Sequence, residues 1–115
     1  MSIKIYHNPR CSKSRETLAL LEEKGVNAEV TEYLKTPPDF ETLTEILKSL
    51  NMEPRQLMRK HEAEYKDNNL DNPELTNDQL IQAMIDFPKL MERPIVVKDG
   101  KVAIGRPPIS VLDIL

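Results

Sequence analysis

The sequence predicts an α/β fold built on a four-stranded mixed sheet, and three observations carry the prediction. Two short alternating stretches, around Ile3 and Ile5 and from Val26 through Ala28 and Val30, flank a run of helical spacing. That is the order of a right-handed β-α-β crossover, in which the two strands run parallel. Near the other end Ile95, Val96 and Val97, then Asp99-Gly100, then Val102 and Ile104 read as a hairpin with the tight turn that Asp-Gly favours. Between these halves the apolar spacing is helical.

Taken in order, Ile3 and Ile5 alternate with Lys4 as in a strand, and His7, Asn8, Pro9 and Arg10 interrupt it with turn formers. Cys11 follows that turn. From Ser12 the spacing is helical, with Thr17, Leu18 and Leu21 on one face and Leu20 beside them, until Gly25 offers a stop. The next strand is expected to run on to Tyr33. Pro37 and Pro38 then break the chain, and Asp39 can cap a helix whose Phe40, Leu43, Ile46, Leu47 and Leu50 form a core stripe. Pro54 can open a short helix through Leu57 and Met58, whereas residues 61–73 are polar, Asn-rich and expected to be irregular. Thr76 and Gln79 form a capping-box pattern ahead of Leu80, Ile81, Met84 and Ile85, and Pro88 ends that helix. After the hairpin, Pro107 and Pro108 lead into a short terminal helix over 109–115. The order β-α-β, helical block, β-β-α is the thioredoxin-like arrangement with helices inserted between its halves.

At 115 residues the chain has room for one domain over 1–115. Its net charge of -3 favours neither nucleic acid nor an anionic membrane, so any anion site must be local. There is no 18-residue apolar run and no basic-then-apolar leader, and the lone cysteine cannot make an internal disulfide. A cytoplasmic, reducing home is expected, and any redox partner thiol must come from another molecule. No ligand cluster supports a metal.

A cysteine at a loop leading into a helix lies where unpaired backbone N–H groups and the helix dipole stabilise negative charge. Such a place can bring a thiol pKa from about 8.5 down to roughly 3.5 to 7.5. The competing reading of Cys11, a buried and inert small hydrophobe, is opposed by the polar loop around it. His7, four residues earlier, can turn its imidazole toward the sulfur, or simply pack or face solvent. Ser14 completes C-x-x-S, so its hydroxyl can donate to the thiolate or serve as a cap.

Arginines form the second constellation. A doubly charged oxyanion nearing a thiolate meets about 4 kcal/mol of repulsion per charge pair at about 4 Å, so several guanidinium groups are needed. Arg59 follows the short Pro54 helix, while Arg93 and Arg106 each precede a proline at one end of the hairpin. Proline restricts the residue before it to extended geometry, which fixes both backbones. Taken singly, an arginine is more often a solvated surface side chain.

Three separated motifs, H-N-P-R-C-S-K-S-R at His7 to Arg15, E-R-P-I-V-V at Glu92 to Val97 and G-R-P-P at Gly105 to Pro108, resemble the glutaredoxin-coupled arsenate reductase (ArsC) family, in particular its small YfgD-like members. The resemblance runs nearly end to end and implies a thioredoxin-like fold. It implies an oxidoreductase of arsenic detoxification in which Cys11 attacks arsenate to form a thiol-arsenate adduct. Glutathione, as co-substrate, attacks the arsenic; arsenite leaves a Cys11–glutathione mixed disulfide, which glutaredoxin resolves. The family's oxyanion-binding arginines fall on Arg59, Arg93 and Arg106, its histidine on His7, and Pro94 matches a cis-proline. No bound cofactor is implied, and a monomer is expected. Where characterised reductases tend to have C-G-T-S, this chain has Cys11-Ser12-Lys13-Ser14, and it stops at Leu115 where they usually run on. Another oxyanion or a glutathionylated substrate is therefore the alternative within the same thiol class. From a different class comes an Spx-like, RNA-polymerase-binding regulator, which Ser14 in place of a second cysteine disfavours.

Overall fold

The computed structural model describes residues 3–115. They fall into two units: 3–36 with 93–115, and the inserted Pro37–Glu92.

In the first unit β1 (Ile3–His7) pairs in parallel with β2 (Glu29–Glu32), Ile5 opposite Val30. On its other side β1 pairs antiparallel with β3 (Ile95–Lys98), which continues through a hairpin into β4 (Lys101–Ile104). The sheet order is β2-β1-β3-β4, four strands and mixed, as the β-α-β and hairpin patterns require. Asp99 and Gly100 both adopt left-handed backbone, φ 50 and 80, the twist a two-residue hairpin needs. Helix α1 (Ser12–Glu23) is the crossover and ends at Gly25, φ 73. Its Leu21 packs with Ile5, Val96, Val111 and Ile114 into the unit's core.

Two elements depart from expectation here. β2 starts later than the alternation suggests, because Val26 and Ala28 pack against the core from a non-strand backbone. The terminal segment is a 3-10 helix over Pro108–Ile114 rather than an α-helix over 109–115. Three residues per turn place Val111 and Ile114 one above the other, and both are buried.

In the second unit α2 (Phe40–Leu50) begins at Asp39, whose carboxylate accepts the Thr42 N–H at 2.8 Å. It buries Leu43, Ile46 and Leu47. α3 (Pro54–Leu57) has proline in its first turn. α4 (Ala63–Asp67) lies in the stretch expected to be irregular; one buried residue, Tyr65, holds it, too few for a period to show. α5 (Asn77–Asp86) begins at the Thr76–Gln79 capping box and buries Leu80, Ile81 and Met84. A 3-10 turn at Pro88–Leu90 follows, and Met91 pairs with Met58 in an isolated bridge. Among the described residues no helix is long and apolar enough to cross a membrane.

Candidate active site

β1 delivers His7 and then stops, because the next residues are better at turning than pairing. Asn8 organises the turn: its carbonyl oxygen accepts the Cys11 N–H at 3.0 Å and its side-chain oxygen accepts the Arg10 N–H at 3.0 Å. The Arg15 guanidinium closes the loop from the helix by donating to the Pro9 carbonyl at 2.9 Å. Cys11 is left as the N-cap residue of α1 in extended backbone, half-buried, with its thiol free. It offers no side-chain cap bond. The first turn's N–H groups are thereby directed at sulfur.

Burial alone raises the Cys11 thiol pKa, but it is outweighed: the Ser14 N–H, the Arg93 guanidinium by hydrogen bond and by charge, and the Lys13 N–H hold it below the ordinary thiol value. Arg106 reaches the same sulfur, Nη2 to Sγ 3.7 Å. Its Nε donates to the Arg93 carbonyl oxygen at 2.8 Å, so one guanidinium bridges the arginine backbone and the thiol. The Gly105 N–H donates to the Pro94 carbonyl at 3.0 Å and extends the hairpin to that point. The Arg93–Pro94 bond is cis, as the resemblance implies, and so is Arg106–Pro107, which nothing in the sequence marks. A side chain at Gly105 has no room: a Cβ there would collide with Thr17 Oγ1 and stand 2.8 Å from Pro94 Cγ.

His7 and Ser14 meet, though not through the sulfur. His7 Nδ1 and Ser14 Oγ are 2.6 Å apart, and Ser14 Oγ also accepts the Asn8 N–H at 3.0 Å. Burial, opposed by Glu32 and reinforced by Arg15, lowers the His7 pKa from 6.5. A neutral imidazole then shares one hydrogen bond with the Ser14 hydroxyl through Nδ1. The hydroxyl expected to serve the thiolate ties strand end, loop and helix together instead, and the Ser14 group facing sulfur is its backbone N–H. Ser14 and His7 are buried, as this inward role requires.

Arg59 belongs to the second unit. Its Nη2 donates to His61 Nε2 at 2.9 Å and its Nε stands 3.8 Å from a Glu62 carboxylate oxygen. Its Nε and Nη1, like Arg93 Nε, are buried without a hydrogen-bond acceptor. Buried guanidinium donors left unmatched are costly in a chain that gains nothing from them, and an anion is the group that would match them. Sequence reasoning brought Cys11, Arg93 and Arg106 together, and missed Asn8 and the Thr17–Gly105 approach. Asn8 had a signal in its turn-forming type; the close approach had only the glycine.

The profile of the ArsC family matches residues 6–114. The uncharacterised protein YfgD of Escherichia coli K12 is 60% identical, over 98% of this chain and 96% of that one. An arsenate reductase of Neisseria meningitidis is 55% identical over 91% of each chain. The solved structure of an arsenate reductase from Vibrio cholerae, 52% identical, superposes with a TM-score of 0.96 over 100% of this chain and 98% of its own. A match of that extent, with the cysteine and both hairpin arginines at one thiol, places this chain in the ArsC family.

Proposed function

We propose that this protein reduces arsenate to arsenite with electrons from glutathione, and that Cys11 is the nucleophile. The observation that carries the reading is the Cys11 sulfur, held down in pKa by the first turn of α1 and by Arg93, with Arg106 Nη2 at 3.7 Å. Relatives that bear the name arsenate reductase support the choice of oxyanion.

The Cys11 thiolate attacks arsenic(V), forming an S–As bond while one arsenate oxygen takes up a proton and leaves as water. Arg93 and Arg106 offset the charge that accumulates on the remaining oxygens. Arg59 keeps the oxyanion-binding role that the resemblance implies, supported by its own unmatched buried donors. A glutathione thiolate then attacks arsenic, a second arsenate oxygen taking up a proton and leaving as water; the two sulfurs join in an S–S bond as both S–As bonds break, one electron pair stays on arsenic, and arsenite departs as arsenic(III). Glutaredoxin removes the glutathionyl group as its own mixed disulfide, returning Cys11 to the thiol. One thiol in the chain suffices because each later sulfur comes from elsewhere.

The test is arsenite release by the purified protein supplied with arsenate, glutathione and glutaredoxin, with Cys11→Ser as control. Arsenite in step with glutathione oxidation, abolished in the variant, supports the reading. Turnover of a glutathionylated peptide with none of arsenate would replace it by a thiol-transfer function at the same cysteine.

A further inference from the structure

A cleft of about 380 Å³ opens beside the cysteine loop, within the first unit, at the carboxyl ends of the parallel strands β1 and β2. Crevices at that end of parallel strands are where α/β sheets commonly take ligands, and this volume falls in the range of small-molecule sites. Its lining includes His7, Arg10, Glu32, Leu34 and Lys35. Arg10 is joined by a peptide bond to Cys11, so a ligand seated here lies next to the nucleophile's own loop.

The lining has a distinct charge arrangement: two cations, Arg10 and Lys35, one carboxylate, Glu32, and one exposed apolar side chain, Leu34 at 39%. The Arg10 guanidinium has no hydrogen-bond or ion-pair partner among the described residues; only its backbone N–H is engaged. Lys35 and Glu32 stand 3.7 Å apart as an exposed pair, and such pairs hold each other weakly enough to be rearranged by a ligand. The complement of this set is a small molecule with two carboxylates, one ammonium and a short apolar stem. Glutathione has those groups, with its thiol between them, and an extended tripeptide spans roughly 10 Å.

We propose that this cleft is the glutathione subsite, with Arg10 and Lys35 holding the two carboxylates and Glu32 the γ-glutamyl ammonium. The assignment rests on the reading above that glutathione is the co-substrate. It places the incoming thiol on the β2 side of the loop, whereas Arg93 and Arg106 come from the hairpin on the other side of β1. Oxyanion and reductant are thus served by separate cations.

The experiment is titration of the 15N-labelled protein with S-methylglutathione, which keeps both carboxylates and the ammonium but cannot form a disulfide. Amide shifts concentrated at 7–10 and 32–35 are expected, with Arg10→Ala/Lys35→Ala weakening binding about tenfold and Lys101→Ala leaving it unchanged. The same shifts are expected in Cys11→Ser, so an enzyme inactive on arsenate leaves this result intact. Shifts absent at millimolar ligand, or centred elsewhere and unaltered in the double variant, overturn the assignment even if arsenate is reduced.

Discussion

Arg106 Nη2 stands 3.7 Å from Cys11 Sγ while its Nε donates to the Arg93 carbonyl oxygen at 2.8 Å. The second contact explains the first: a long, flexible side chain is aimed at sulfur because the Nε of the same guanidinium is bonded to the backbone of the other arginine. Position and charge are therefore shared, and neither arginine acts alone.

Replacing either one removes a cation from a charge-accumulating centre. Arg93→Ala and Arg106→Ala are each expected to lower kcat/KM for arsenate about a hundredfold, the scale of losing one preorganised donor. Steady-state arsenite release measures this. Their combination should lose less than the product of the two, because both guanidinium groups face one sulfur.

Ser14→Ala leaves the Asn8 N–H and His7 Nδ1 without their common partner in a buried place. About 1–3 kcal/mol of stability is expected to be lost, read from urea denaturation. The Ser14 N–H remains, so the thiol should stay acidic in the folded variant.

The His7 pKa lies below 6.5 in the folded chain, chiefly through burial. As pH falls, the unfolded chain binds the proton first, so stability declines from about 6.5 downward and the loss is complete below the folded pKa. His7→Asn keeps an acceptor for Ser14 without the titration. Thermal melts from about pH 7.5 to 5.5 should fall more steeply for the wild type than for this variant.

Gly105→Ala places a methyl group against Thr17 Oγ1 and Pro94 Cγ. Overpacking of this kind costs about 1–3 kcal/mol, and Arg106 is the next residue along the chain. Both the melting temperature and kcat/KM should drop. Adding Thr17→Ala should restore only part, since Pro94 still stands in the way.

Much of this was legible in the sequence because local chemistry dictated it. Asp99-Gly100 can satisfy a turn needing positive φ twice, and Thr76 with Gln79 can cap a helix reciprocally, without reference to the rest of the chain. Arg93 and Arg106 were legible for the same reason, each fixed by the following proline. What stayed hidden depended on distant partners. The Ser14 hydroxyl is claimed by the end of β1, seven residues back, and C-x-x-S spacing cannot say whether histidine or sulfur wins it. α4 has too short an apolar pattern to announce itself, with Tyr65 its buried residue. Gly105 carries no sign in the sequence of the Thr17 side chain packed against it.

Nucleophilic attack by Cys11 requires an acidic thiol, and the rate of its alkylation by iodoacetamide as a function of pH reads that property directly. The predicted inflection lies below that of a free cysteine thiol measured alongside and moves upward in Arg93→Ala. An inflection no lower than that of the free thiol, unmoved by Arg93→Ala, would contradict it.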